Sequence, residues 1–321
     1  MVLVYTESEE GKFKKIALEA VSYAKGIADM MGTSVTAVSV NGGDASELGN
    51  YGAAKVLEVS NDKLNKFNAE AYADVIAQAA KNEAANIVVL TSSANSKFLA
   101  PLLAVNLEAG YVPNATQLPT ETSPFKVKHS VFTNKAFAET EINTAVKIVG
   151  LAKNAFGLKE NSAAAAAESF SPQLEDGDFT VEVVSVDKAT DKVTIADAEI
   201  VVSGGRGLKG PENWGMIEEL AEVLGAATAC SKPVSDMGWR PHSEHVGQTG
   251  KPVASNLYIA IGISGAIQHL AGINSSKVKV VINNDAEAPF FKAADYGIVG
   301  DAFEVVPQLI EKLKAFKAQN A

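Results

Sequence analysis

The sequence has little cysteine, no excess of positive charge and no long apolar run. Cys230 is the only cysteine among 321 residues, which excludes an internal disulfide, a CxxC metal site and a cysteine-bound iron–sulfur cluster. Lys and Arg total 28 against 38 Asp and Glu, so the net charge of -10 argues against a nucleic-acid partner. No stretch approaches the ~20 apolar residues that span a bilayer. We therefore expect no direct membrane insertion.

Several motifs of common enzyme classes are also missing. The sequence contains no H-E-x-x-H, no G-x-S-x-G and no P-loop, so metalloprotease, esterase and NTPase functions have no support. The opening run, residues 1–5, lacks a basic segment and is too short for a signal peptide, so it predicts a first strand. These features together predict a cytoplasmic protein.

The first half of the chain alternates apolar runs with helical stripes. Strands are predicted at residues 2–5, 34–40, 55–59 and 86–90, and helices at 13–31, 69–84 and 96–109. Strands separated by helices of this length predict a parallel sheet, in a domain of nucleotide-hydrolase-like type.

The pattern then changes. Three short runs at 125–131, 136–140 and 145–151 predict a small β meander at the sheet edge. The alanine-rich run 163–167 is predicted to be a surface connection, with a helical turn as the alternative. The domain boundary is predicted between 185 and 196, which divides the chain into 1–190 and 191–321.

The sequence of the second domain again predicts an α/β fold, here of Rossmann-like type. Its strands are predicted at 199–202, 226–230, 258–263, 278–283 and 297–299, with helices at 211–224, from about Ser264, and over the last 19 residues. Gly205, Gly207 and Gly210 fit G-x-G-x-x-G between a strand and a helix, which would let backbone amides approach a pyrophosphate. No acidic residue ends the next strand, so an ordinary NAD site is not predicted. A tight turn without a ligand remains equally compatible with this motif.

Two further strand ends carry polar or small residues. The loop 246–251 suits hydrogen bonding to a flat heterocycle, although its composition alone favours a plain turn before the next strand. His269 follows Ser264 and Gly265 in an apolar setting, where a lone histidine is more often a core residue than a functional one. Asp301 is predicted to cap the last helix, with a phosphate or ribose near the same helix start as the alternative. Because all these glycine-marked ends fall on one edge of the predicted sheet, a ligand site at that edge is favoured.

The C-terminal residues resemble one known family. The runs 201–209, 246–251, 257–272 and 295–299 are similar to the FAD domain of electron transfer flavoprotein α subunits. The N-terminal half resembles the family in layout and in the strand 86–92. The resemblance implies one FAD, bound mainly by the residues Arg206, Ser231, Lys232, Val246, Gly247, Gln248, Thr249, Ser264, Gly265, Ala266, Ile267, Gln268, His269, Asn283, Asp301 and Ala302.

The resemblance also implies roles for these residues. Arg206 would lie near the flavin or its ribityl chain. Gln248 and Thr249 would lie along the isoalloxazine, with Thr249 close to N5, and His269 would lie near O2. The segment from Ser264 to Gln268 would bind the phosphates and the ribityl chain. Ser231 would lie near the pyrophosphate, with Asn283, Asp301 and Ala302 at the adenosine. One-electron reduction leaves negative charge over N1 and O2, which a donor at His269 and a nearby cation would stabilise.

Two residues depart from the family pattern. Lys232 stands where the family usually has arginine; it keeps the charge but lacks the planar, bidentate guanidinium. His245 stands where many relatives carry glutamine, and we expect its side chain to point to solvent, with a pH-sensitive site as the alternative.

The resemblance implies an electron carrier without a catalytic acid–base pair. FAD would accept electrons from acyl-CoA dehydrogenases in fatty acid β-oxidation and pass them to a membrane quinone oxidoreductase. The chain would work as a heterodimer with a β subunit that contacts the N-terminal domain and binds AMP or a second FAD. The alternative is the α subunit of an NADH-oxidising, electron-bifurcating flavoprotein. A scaffold subunit that has lost its flavin is disfavoured by the intact binding motifs.

Overall fold

The computed structural model describes residues 1–161, 164–186, 194–195 and 198–320. Two compact units are resolved: an N-terminal unit of residues 1–131 and 136–186, and a C-terminal unit of residues 132–135 and the described residues from 194 onward. The boundary predicted at 190/191 lies outside the described residues. Within the described part of the chain, no helix combines the length and the apolar character needed to cross a membrane.

The N-terminal unit is built on one large, mostly parallel sheet. Its strands are β1 Val2–Thr6, β2 Ser8–Glu9, β3 Lys12–Phe13, β4 Val35–Val40, β5 Lys55–Val59, β6 Ile87–Thr91, β7 Gly110–Ala115, β8 Glu121–Thr122, β9 Phe125–Val131, β10 Ala136–Glu141, β11 Lys147–Leu151 and β12 Ala166–Ser169. Its helices are α1 Lys15–Met31, α2 Ala45–Gly49, α3 Ala69–Asn82 and α4 Ala94–Asn106. The sheet order is β10-β9-β7-β11-β6-β1-β4-β5-β12, with β8 beside β9 and the short β2–β3 hairpin separate.

The central strands are mostly apolar because the sheet is covered on both faces. Every residue of β1 and β4 is buried. One core packs α1 against the sheet, and a second packs α3 and α4. Burial on both faces is typical of parallel sheets and explains why these strands show no alternation of polar and apolar residues.

Two N-terminal predictions are corrected by the strand pairing. β9 and β10 pair antiparallel as expected, but β11 is not the third strand of a meander. β11 lies inside the sheet, parallel to both β6 and β7, with Ile148 and Val149 fully buried. Part of the alanine-rich run forms β12, an exposed edge strand parallel to β5, rather than a helical turn. Residue 163 of that run lies outside the described residues.

The C-terminal unit is a five-stranded parallel sheet with helices between its strands. The strands are β13 Ile200–Gly204, β14 Ala227–Cys230, β15 Leu257–Ile261, β16 Val278–Asn283 and β17 Tyr296–Val299, in the order β14-β13-β15-β16-β17. The helices are α5 Gly215–Leu224, α6 Lys232–Asp236, α7 Ile267–Ile273 and α8 Ala302–Gln319. The prediction of two α/β domains is confirmed.

Helix starts in this unit differ in part from the sequence prediction. The segment after the glycine motif forms a 3-10 turn over Pro211–Asn213, and α5 begins only at Gly215. α7 begins at Ile267 after Ala266, not at Ser264. The Asp301 cap is confirmed, since its carboxylate accepts the Phe303 backbone N–H at 3.0 Å.

Candidate functional site

A cleft of about 620 Å³ opens at the carboxyl ends of the C-terminal strands. The chain passes from β13 to β14 on one side and then returns to β15 on the other side of β13. At such a reversal the loops leaving the two adjacent strands diverge, and ligands of open α/β sheets bind in the resulting crevice. The cleft volume lies within the range of small-molecule and cofactor sites.

The floor of the cleft is a close crossing of two glycine turns. The N–H groups of Gly205 and Gly207 donate to Ile261 and Gly262 carbonyl oxygens at 2.9 and 3.0 Å. A Cβ atom on Gly205 would lie 2.2 Å from the Gly262 oxygen, and one on Gly207 would lie 2.6 Å from the Gly262 Cα. Only glycine allows the two turns to meet this closely.

The glycine motif therefore does not form the strand-to-helix turn that the sequence predicted. Arg206 and Gly207 line the cleft, but the chain continues into a 3-10 turn over Arg206–Leu208 rather than into an α-helix. Its glycines provide a tight contact between strand ends, and no long helix begins directly behind them.

The loop after His245 is held against α7. The Gln248 N–H donates to the Gln268 carbonyl at 2.7 Å, and a Cβ on Gly272 would lie 2.6 Å from the Gly247 Cα. With the backbone fixed in this way, the side chains of Gln248 and Thr249 are exposed along the cleft wall. Both can donate and accept hydrogen bonds to a polar ring system.

Two buried histidines face the cleft. The Nε2 atom of His269 lies 2.9 Å from the Tyr258 hydroxyl oxygen, and its Nδ1 has no hydrogen-bond partner among the described residues. Burial, reinforced by neighbouring His245 and only partly opposed by the nearby Val246 backbone, lowers the pKa of His269 to about 4. The ring is therefore neutral near pH 7 and carries one N–H.

The prediction that His245 points to solvent is wrong. Its side chain is only 2% exposed and lines the cleft, and its Nδ1 also lacks a partner in the described part of the chain. Burial, followed by the nearby His242 and Lys232, lowers the pKa of His245. It is therefore neutral at pH 7, and it would gain charge only in acid.

Cations and carboxylates share the rest of the rim. Arg206 is exposed, and the Lys232 Nζ lies 4.0 Å from the Asp236 carboxylate. Asp285 lies at the opposite end, after β16. The two cations can attract the phosphates of an anionic ligand, while the neutral histidines can donate hydrogen bonds to carbonyl groups.

Most of the predicted binding residues lie along this one cleft. Those that line it are Arg206, Ser231, Lys232, Val246, Gly247, Gln248, Thr249, Ser264, Ala266, Gln268, His269 and Asn283. Four do not: Ile267 is exposed elsewhere on α7, Gly265 packs against the Phe290 backbone, Asp301 caps α8, and Ala302 is buried beside it.

Seven other described residues that line the cleft are not among those that the family resemblance implies as FAD-binding. They are Gly207, Pro233, Asp236, His245, Gly262, Ile263 and Asp285. The signal that could have found Gly262, Ile263 and Asp285 is their position just after a buried strand, at the edge where ligands bind. Pro233 and Asp236 carry no comparable local signal.

Comparison with known proteins agrees with this arrangement. Residues 2–189 match a family model described as the electron transfer flavoprotein domain, and residues 194–274 match one described as the electron transfer flavoprotein FAD-binding domain. The chain is 36% identical to electron transfer flavoprotein subunit alpha of Bacillus subtilis, over 98% of this chain and 97% of the relative. It is 35% identical to the subunit of that name from Thermoanaerobacterium thermosaccharolyticum, over 98% of each chain. It is also 33% identical to Protein FixB of Clostridium saccharobutylicum, over 98% of this chain and 96% of the relative.

Together, the two matching domain models and the near-complete coverage of these relatives define the identity of the chain. The cleft lies in the unit that contains the second match. The chain therefore belongs to the electron transfer flavoprotein α subunit family, and its C-terminal unit contains an FAD-binding domain.

Proposed function

We propose that this chain is a cytoplasmic electron carrier that holds FAD in the cleft and works as a heterodimer with a β subunit. In this proposal, residues 1–190 contact the β subunit, which binds AMP or a second FAD, and residues 191–321 hold the flavin. The carrier accepts electrons from acyl-CoA dehydrogenases of fatty acid β-oxidation and passes them to a membrane quinone oxidoreductase. The single observation that carries the proposal is the convergence of Gln248, Thr249 and His269 on one cleft.

The cleft residues fit a flavin dinucleotide. Among the described residues, the buried Nδ1 atoms of His245 and His269 have no hydrogen-bond partner, as expected of groups that complete their hydrogen bonds with a ligand. Gln248 and Thr249 offer hydrogen bonds to the ring system, Arg206 offers a cation to the flavin or its ribityl chain, and Ser264 offers a hydroxyl to the phosphates. Bound FAD would supply the one-electron and hydride chemistry that these side chains lack.

The side chains would set the reduction potential through charge. Lys232 lies at the cleft rim with its side chain 60% exposed and its Nζ 4.0 Å from the Asp236 carboxylate. A positive charge at this rim favours a ligand that becomes more negative on reduction. Its exposure weakens the effect, because water screens the interaction.

Replacing Lys232 with alanine is expected to make the potential for the first reduction of bound flavin more negative. We expect a shift of about 30 to 60 mV, corresponding to ~1 kcal/mol lost from a partly screened charge. Anaerobic spectroelectrochemical titration of the heterodimer measures it. Lys232→Arg should keep the native potential, and Lys277→Ala, which removes an exposed charge outside the cleft, serves as the control. An unchanged potential in Lys232→Ala would show that this cation has no part in flavin tuning.

The proposed function is tested by the absorbance spectrum of the chain co-purified with its β subunit, before and after addition of NADH. We expect one FAD per heterodimer, not reduced by NADH and reduced by an acyl-CoA dehydrogenase with its substrate. Two FAD per heterodimer with rapid bleaching by NADH would instead identify an electron-bifurcating flavoprotein. A colourless complex that cannot be reconstituted with FAD would contradict the proposal as a whole.

A further inference from the structure

Tyr258 is a fully buried residue of β15 that contacts His269, one of the two buried histidines of the cleft. Its hydroxyl oxygen lies 2.9 Å from His269 Nε2, and the two ring centroids are 6.0 Å apart at 57°. Phe290 contacts the same imidazole, with a centroid distance of 6.1 Å. Two buried aromatic rings therefore restrict the rotation of His269, and of these two rings Tyr258 alone carries a polar atom.

The protonation states of the pair limit how this hydrogen bond can form. Burial raises the pKa of the Tyr258 hydroxyl, so it keeps its proton. Burial lowers the pKa of His269 to about 4, so the neutral ring has one donor nitrogen and one acceptor nitrogen. The tautomer then depends on which group donates across the 2.9 Å contact.

We propose that Tyr258 is a positioning residue: its hydroxyl donates to Nε2 of His269, holds the ring as the Nδ1–H tautomer, and so presents Nδ1 as the donor to the bound cofactor. This inference rests on the proposed function, because it assigns the cofactor as the missing partner of Nδ1. That nitrogen is buried without a hydrogen-bond partner among the described residues. A cofactor carbonyl that gains negative charge on reduction needs an N–H there, whereas the opposite tautomer would present a lone pair.

Tyr258 therefore acts through His269 rather than on the ligand, since it is not part of the cleft wall. Replacement by phenylalanine keeps the ring and removes only the hydroxyl. His269 would then lose its fixed tautomer and populate both neutral forms. A donor that is present only part of the time binds its acceptor less well.

The test uses the full-length chain labelled with ¹⁵N-histidine and reconstituted with unlabelled β subunit and FAD. The chain has four histidines, so the ring-nitrogen spectrum is simple, and His269→Gln identifies the His269 signals. We expect Nδ1–H shifts for His269 in the native protein. In Tyr258→Phe we expect a shift toward the Nε2–H form and an FAD dissociation constant raised about tenfold.

Tyr23→Phe is the matched control. It removes another buried hydroxyl, which donates to the Gln117 carbonyl at 3.0 Å in the N-terminal unit. It should leave the His269 tautomer and the FAD affinity unchanged.

The outcomes separate this inference from the proposed function. An Nε2–H tautomer in the native holoprotein would overturn the role of Tyr258, and this measurement does not depend on whether Tyr258→Phe folds. An unchanged tautomer in folded Tyr258→Phe would overturn it as well. Failure of the native heterodimer to bind FAD would instead overturn the proposed function.

Discussion

Replacing Gly262 with alanine is expected to abolish stable FAD binding and to destabilise the C-terminal unit by about 2–5 kcal/mol. Two effects add. Gly262 has a φ of +63°, which costs a residue with a Cβ about 1 kcal/mol or more. The new Cβ would also lie 2.8 Å from the Gly207 Cα, an overlap with backbone that costs roughly 1–3 kcal/mol.

Gly225→Ala isolates the first effect. Gly225 ends α5 with a φ of +64°, but its Cβ would have no atom within 4 Å. In that control we expect the free energy of unfolding to fall by only about 1 kcal/mol, and FAD binding to be normal. FAD titration and urea unfolding of both variants provide the measurements. Equal stability of the two variants would show that the Gly207–Gly262 crossing has no steric role.

The second large effect is expected from Glu19→Ala in the N-terminal unit. Glu19 lies on α1 and is 3% exposed, and its carboxylate accepts backbone N–H groups of Asn154, Phe156 and Gly157 at 3.0, 2.8 and 2.7 Å. These bonds attach the loop that follows β11 to α1. Removing the carboxylate leaves these three partly buried N–H groups without their acceptor. We expect the free energy of unfolding to fall by roughly 3 kcal/mol, a value limited because water replaces part of each lost hydrogen bond.

Hydrogen–deuterium exchange of a peptide covering residues 152–160 tests this role directly. Protection of these amides should fall in Glu19→Ala and in Glu19→Gln, because glutamine replaces one of the two accepting oxygens with an NH₂ group, which donates and cannot accept. Glu160→Ala removes an exposed carboxylate from the same segment and should leave the protection unchanged. Native protection in Glu19→Ala would mean that the loop is held by other contacts.

Long apolar segments made the fold predictable. β1, β5 and α8 follow directly from their apolar patterns, because strands buried on both faces and amphipathic helices leave clear local signals. β7 and β12 leave weak signals: β7 contains Gly110, Pro113 and Asn114, and β12 is wholly exposed and pairs only through its backbone. β11 is an apolar run like any other, and its place between β6 and β7 depends on pairing between distant segments.

The candidate site likewise has parts that the sequence predicts and parts that it does not. The glycine turns, the loop 246–251 and the polar strand ends could be identified in the sequence, because each is a short motif with its own backbone requirement. The burial of His245 could not be predicted, since it depends on how its loop meets the end of β14. The start of α7 three residues after Ser264 was likewise beyond the local pattern.

The sequence by itself determined that this protein has parallel α/β domains, glycine-marked strand ends and the motifs of its family. Those properties depend on short stretches of sequence, because hydrophobic periodicity and the backbone freedom of glycine act between neighbouring residues. Tertiary structure alone decided that Gly207 meets Gly262, that Tyr258 meets His269 and that Glu19 holds the loop after β11. These contacts join residues of different structural elements, and they form only when packing of the buried strands and helices brings those elements together.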